Sequence, residues 1–115
     1  MKLGDLVKEI HIDPRKLTEY ALNPEHPYGG HKAKIFKNRL GYTTVNFELL
    51  QAQIESQAMS CDAIASKRDK HGQRYTVDIV VQGAQGQKAV VRTGWLVAPD
   101  TNEAWLATLY VRREK

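Results

Sequence analysis

The chain has 115 residues, of which 42% are hydrophobic and 26% are charged. This balance excludes a disordered or fibrous protein and predicts one domain with one modest core over residues 1–115. The single cysteine excludes an internal disulfide, and the net charge of +4 favours anionic partners.

The first half of the chain predicts helices. Residues 1–12 have no firm pattern and fit an arm, a short helix or a strand added to a sheet edge. An Asp-Pro pair predicts a first helix over 13–23. After a loop with two prolines and two glycines, an apolar stripe predicts a basic amphipathic helix over 31–40. The same helical spacing, preceded by Asn46 as the expected cap, predicts a third helix to about residue 60 and completes a helical half over 13–60.

In the second half the hydrophobic period changes to two, which predicts strands. Alternation over 74–81, a Gly-rich turn, and further strands over 87–98 and 103–112 describe a three-stranded meander. Residues 63–67 fit a fourth, edge strand. The predicted fold is therefore α+β, with amino-terminal helices packed on a twisted antiparallel meander of three to four strands over residues 61–113.

The start of the second predicted helix is the first candidate site. Gly29 and Gly30 precede a run of basic residues without an acidic neighbour: His31, Lys32, Lys34, Lys37 and Arg39. Free backbone N–H groups and the helix dipole favour phosphate at such an end, and cations in the first turn oppose the dipole unless an anion is bound. The alternative is an ordinary glycine turn followed by a solvated basic face.

The last two strands supply the second candidate site. In the strand over 103–112, every second residue from Trp105 to Val111 is apolar, which predicts a core face. Thr108 and Tyr110 are then left on the opposite, mixed face. A bulge near Gly94 would set Arg92 beside these two residues, whereas a plain four-residue loop would place Thr93 opposite Thr108. Arg92 would alternatively pair only with Asp78. Both tryptophans, at 95 and 105, are expected in the core.

Metal and membrane functions have little support. The four histidines lack the spacing of zinc ligands, so neither a metal site nor a cofactor is predicted. No apolar run approaches the roughly 20 residues of a membrane span. Gly4, Asp5 and Lys8 interrupt any signal-peptide pattern, so we expect a cytoplasmic protein without membrane contact.

Longer motifs resemble those of an uncharacterised bacterial domain family, whose members occur as small standalone proteins, often cyanobacterial, and as C-terminal modules of polymorphic toxins. The resemblance covers roughly residues 13 to 111. Its motifs are DPRKLTEYALN at 13–23, HP at 26–27, GHKAKIF at 30–36, LG at 40–41, VRTGW at 91–95 and LATLYV at 106–111. The order of helices then meander is similar to that of the barnase, EndoU, colicin and RelE group of metal-independent ribonuclease toxins.

The resemblance implies catalytic roles for His31, Lys32, Arg92, Thr108 and Tyr110, and RNA contacts for Gly30, Lys34 and Thr93. His31 would take the proton of the 2′-hydroxyl, the two cations would neutralise the phosphate, and Thr108 and Tyr110 would orient it or pass a proton. No residue is evident for the acid role. The implied partners are RNA and a small antitoxin or immunity protein that covers the basic cleft.

Two other functions remain open. The same basic surface would serve a non-catalytic module that binds nucleic acid or an acidic protein, and the missing acid favours this alternative. A third possibility is an interaction domain whose polar sheet face docks the amino-terminal arm or a second subunit.

Overall fold

A computed structural model describes residues 1–112, and its elements confirm the α+β class. The helices are α1 (Leu3–Leu6), a π-helix (Leu17–Ala21), α2 (Gly30–Leu40) and α3 (Phe47–Gln57), which continues as a 3-10 turn at Ala58–Ser60. The strands are β1 (Glu9–His11), β2 (Ala63–Asp69), β3 (Gly72–Gln82), β4 (Lys88–Val97) and β5 (Glu103–Val111). Residue 113, where the predicted sheet half ends, lies outside the described residues. No helix within residues 1–112 has the length and apolar character needed to cross a membrane.

All five strands form one sheet in the order β1-β5-β4-β3-β2. The meander β2 to β5 is antiparallel, whereas β1 pairs in parallel with β5 from Glu103 to Trp105. The prediction of three to four antiparallel strands is thus only approximately right. The amino-terminal segment, left open by its sequence, supplies both a short helix and the added strand, so the helical and sheet halves are not fully separate in the chain.

The core lies between one sheet face and the helices. Alternate residues of β3, Val77 to Val81, are fully buried, as their period predicts. Phe36 and Leu40 of α2 are buried on the helical stripe that the sequence indicates. Burying each such side chain stabilises the fold by about 1.5–3 kcal/mol. Packing of the apolar stripe of α2 against the buried face of the sheet therefore fixes which side of the helix faces the sheet.

Two helix starts differ from the predictions. The first helix begins at Arg15 and continues as the π-helix, and Asp13 accepts the backbone N–H of Arg15 at 3.0 Å. Asn46 precedes α3 without a side-chain bond to that helix. Its amide instead accepts from the N–H of Thr43 at 2.8 Å and donates to the carbonyl of Gly41 at 3.0 Å, so it stabilises the loop between α2 and α3.

A bulge in β5 decides the register of the sheet. Gly94 pairs with Thr108 whereas Trp95 pairs with Leu106, so Ala107 is the extra residue. Of the two registers that the sequence allows, the bulged one is found. Because one extra residue reverses the alternation of side chains, β5 exchanges faces at this point.

Because of the bulge, the predicted core face of β5 is right after the bulge and wrong before it. Leu109 and Val111 are buried as expected, but before the bulge Leu106 is buried and Trp105 is 49% exposed. Trp105 therefore lies outside the core, where its ring stacks on His11 at 4.5 Å between centroids. Trp95 is buried, as predicted.

Candidate active site

Lys32 lies at the centre of a polar cluster beside β5. Its ammonium donates to the hydroxyl of Tyr20 at 2.5 Å and to the hydroxyl of Thr108 at 3.2 Å. The same nitrogen lies 5.5 Å from the ring centre of Tyr110, within reach of a cation–π interaction. Within residues 1–112 Lys32 forms no ion pair. The half-buried ammonium is thus held by neutral oxygens.

The fold brings these groups together at an open stretch of β5. β1 stops at His11, and the π-helix and α2 pack beside β5 beyond that point. The bulge turns Thr108 and Tyr110 to the face that Lys32 reaches. Gly94 leaves the space that Thr108 needs, because a Cβ at this glycine would lie 3.0 Å from Thr108 Cγ2.

His31 lies on the rim of the same site. A depression of about 340 Å³ is lined by His31, Lys32, Ile35, Tyr110 and Val111. Two of these residues were predicted at the helix start and one on the last strand, so the structure brings the two candidate sites together. Lys34 is exposed but does not line the depression, since it lies about 200° around the helix from Lys32.

Arg92 is on the outer sheet face, paired across the strands with Tyr110. Its guanidinium binds Asp78 through two hydrogen bonds of 2.8 and 3.0 Å, and Arg112 binds the same carboxylate at 3.1 Å. The pairing with Asp78 that the sequence offered as an alternative is therefore present. Asp78 and, to a smaller degree, Tyr110 raise the pKa of Arg92 above its usual range. Two guanidinium groups share one carboxylate, so this cluster keeps a net positive charge.

Thr93 does not join the site. It is fully buried on the core face, where its hydroxyl donates to the carbonyl of Val77 at 2.7 Å and accepts from the indole N–H of Trp95 at 2.8 Å. The bulge that turns Thr108 outward also pairs Thr93 with Leu109. Thr93 therefore has no exposed surface for the predicted RNA contact, and it is a hydrogen-bonded part of the core.

Gly30 likewise has a packing role. It is buried, and its N–H donates to the carbonyl of His26 at 2.8 Å instead of facing a ligand. A Cβ at Gly29 would lie 2.2 Å from the carbonyl oxygen of Tyr20, and one at Gly30 would lie 2.6 Å from that of Pro24. The two glycines therefore allow close backbone contact, which accounts for them without a bound phosphate.

Tyr20 is the site residue that the sequence reasoning missed. Lys32 and, next, Thr108 lower the pKa of its phenol by hydrogen bonding. Its position within the family motif at 13–23 was the available signal, but helical spacing alone assigned Tyr20 to the packing face. The structure adds a hydroxyl that can exchange a proton directly beside the cation.

One group of side chains has the composition of a metal site. Glu9, His11 and Glu103 come together through the parallel pairing of β1 with β5. His11 Nε2 lies 3.3 Å from Glu9 Oε2 and 3.2 Å from Glu103 Oε1. These distances are ordinary for an imidazole between two carboxylates, and the His11–Glu103 hydrogen bond accounts for the group. Spacing along the chain could not reveal it, since the ligands lie on two strands.

Comparison with known proteins gives a family without an assigned activity. The family model DUF6883, a domain of unknown function, matches residues 2–113. No curated protein and no solved structure matches the chain. The expected membership of an uncharacterised family is confirmed, whereas the bacterial origin and the toxin context stay predictions. Because the match spans nearly the whole chain, the protein belongs to the DUF6883 family.

Proposed function

We propose that this domain binds RNA phosphate at Lys32 and cleaves the strand as a metal-independent ribonuclease. The observation that carries the proposal is the cation itself. A half-buried ammonium with hydroxyl partners and no carboxylate attracts an anion more strongly than a surface lysine in an ion pair. The net positive charge around Asp78 adds to the attraction on the same sheet face.

The neighbouring groups suit the chemistry of RNA cleavage. His31 takes the proton of the 2′-hydroxyl, whose oxygen then bonds to phosphorus. The bond from phosphorus to the 5′-oxygen breaks, and Tyr20 supplies the proton of the leaving alcohol, which fills the acid role. Lys32 balances the charge of the pentavalent phosphate, and Thr108 orients it. The products are a 2′,3′-cyclic phosphate and a free 5′-hydroxyl.

The lowered pKa of Tyr20 supports its role as the acid. A phenol is already a stronger acid than the leaving alcohol, and a lowered pKa increases the driving force for giving the proton to the leaving oxygen. Lys32 has two effects in this arrangement, since the same ammonium neutralises phosphate and weakens the phenol O–H bond.

The decisive experiment is an RNA cleavage assay in chelator. Lys32→Met and His31→Ala should each reduce cleavage by about 10²–10⁴-fold, the range for losing one acid–base or electrostatic group. Lys34→Met is the matched control, because it removes the same charge from the same helix outside the depression. Equal losses in the two lysine variants, or a wild-type protein that neither binds nor cleaves RNA, would contradict the proposal.

A second candidate function is RNA or acidic-protein binding without cleavage. Within residues 1–112 no hydrogen bond orients the imidazole of His31, whereas catalytic bases are usually held by a partner group. Salt-sensitive binding that depends on Lys32, with no cyclic phosphate formed, would identify this function. In either case a small acidic protein covering the cleft would act as the inhibitor or antitoxin.

A further inference from the structure

Tyr28 is an exposed aromatic residue in a hydrogen-bonded turn. It is 81% exposed, more than any other tyrosine, tryptophan or phenylalanine among residues 1–112. The backbone N–H groups of Tyr28 and Gly29 donate to His26 Nδ1 at 3.0 and 2.8 Å. These bonds fix the turn that carries Tyr28 and leave the proton of the His26 ring on Nε2.

The ring of His26 links Tyr28 to the cation site. It lies edge-on to Tyr20, with 5.1 Å between centroids at an interplanar angle of 88°. The His26 ring also lies 6.1 Å from the ring of Tyr28, centroid to centroid, at an interplanar angle of 56°. Tyr20 is hydrogen-bonded to Lys32, so the rings of Tyr20, His26 and Tyr28 form a series of contacts from the ammonium to the solvent.

The backbone of the loop that carries Tyr28 is closely packed. Gly29 and Gly30 bring its backbone against the carbonyls of Tyr20 and Pro24, as described above. Beside Tyr20 and His26 lies a second depression of about 320 Å³, on the loop side of the cluster, where Arg15 and Lys16 lie beside the acidic Asp13 and Glu19. An exposed ring on a closely packed backbone, next to an open space of mixed charge, loses little backbone freedom when a flat group stacks on it.

We propose that the exposed ring of Tyr28, carried on the turn that His26 fixes, is a stacking surface for an unpaired base of an RNA strand whose phosphate binds Lys32, so that the substrate is single-stranded RNA. This inference rests on the proposed function, because it takes Lys32 as the phosphate site. In a duplex the bases stack on each other and cannot reach a protein ring, whereas single-stranded RNA presents them to aromatic side chains. A phosphate contact at Lys32 combined with a base contact at Tyr28 favours a single strand over a duplex.

Binding of a short single-stranded RNA, and of the blunt duplex with the same sequence, tests the inference by fluorescence anisotropy. Tyr28→Ala should weaken single-strand binding by about 5- to 100-fold, the range for losing one stacked base. Tyr28→Phe keeps the ring and should keep the affinity, and duplex binding should be unchanged in both variants. Trp105→Ala removes an exposed aromatic ring away from the site and should have no effect.

The outcomes separate the two proposals. If Lys32→Met weakens single-strand binding and Tyr28→Ala does not, the phosphate site stands and the stacking surface is wrong. The same conclusion follows if Trp105→Ala causes the loss, or if the duplex binds more tightly than the single strand. A wild-type protein that binds neither RNA overturns both proposals.

Discussion

Replacing Thr93 with valine removes one buried hydroxyl and leaves the side-chain volume almost unchanged. The hydroxyl bonds to the carbonyl of Val77 and to the indole of Trp95 at 2.7 and 2.8 Å. Valine breaks both bonds and leaves the indole N–H without a partner in the core. An unsatisfied buried donor costs about 1–3 kcal/mol and a lost hydrogen bond about 1 kcal/mol, so unfolding should require about 2–4 kcal/mol less free energy.

Urea unfolding followed by tryptophan fluorescence and circular dichroism measures this difference. Thr93→Ser is the control, since it keeps the hydroxyl and loses only a methyl group, at about 1 kcal/mol. RNA binding by the folded Thr93→Val protein should equal that of the wild type. A stability within about 0.5 kcal/mol of wild type, the usual range for a surface substitution, would refute the structural role. Weaker RNA binding by the folded variant would restore Thr93 as a contact residue.

Three further changes test the site and the fold. Lys32→Met should raise the pKa of Tyr20, because the ammonium that stabilises the phenolate is gone. The absorbance of tyrosinate during a pH titration measures this pKa, and Tyr20→Phe identifies which part of the signal belongs to Tyr20. An unchanged titration would contradict the hydrogen bond. Asp78→Asn should lower stability near neutral pH but not in strong acid. Arg92 holds the pKa of Asp78 below its usual 3.8, so the carboxylate stabilises the fold above that pH and its contribution is lost as the pH falls through the lower, folded-state pKa. Equal stability differences at pH 7 and pH 2 would refute this assignment. Gly29→Ala should destabilise by about 1–3 kcal/mol or more, because its Cβ would meet a backbone carbonyl at 2.2 Å; a thermal melt equal to wild type would show that the turn can relax.

Much of the candidate site could be predicted as residue identities but not as contacts. His31, Lys32, Thr108 and Tyr110 were expected to share one site, and the structure places them around one ammonium and one depression. Their roles stay predictions until the assays are done. Tyr20 could not be assigned in advance, since a tyrosine at helical spacing fits core packing equally well.

The misplaced residues have different causes. Thr93 was assigned an RNA contact from the family resemblance, although alternation along β4 puts it on the face opposite Arg92. Trp105 was placed in the core from an alternation of side chains, and alternation gives the face of a strand only while its register is unbroken. The bulge at Ala107 exchanges the faces of β5. Nothing in the sequence near residue 107 requires the bulge, because it is selected by burying Leu106 and Leu109 on the same side of the sheet.

The sequence by itself determined the elements whose patterns are local: the apolar stripe of α2, the alternation of β3 and the turns between the strands. Side chains three or four apart on a helix, or two apart on a strand, meet the same surroundings whatever the rest of the chain does. The tertiary structure alone decided the parallel pairing of β1, the bulge and the bonds of Lys32. Thr108 lies 76 residues from Lys32 and 88 from Tyr20 along the chain, so their contacts depend on how the sheet edge and two helices pack.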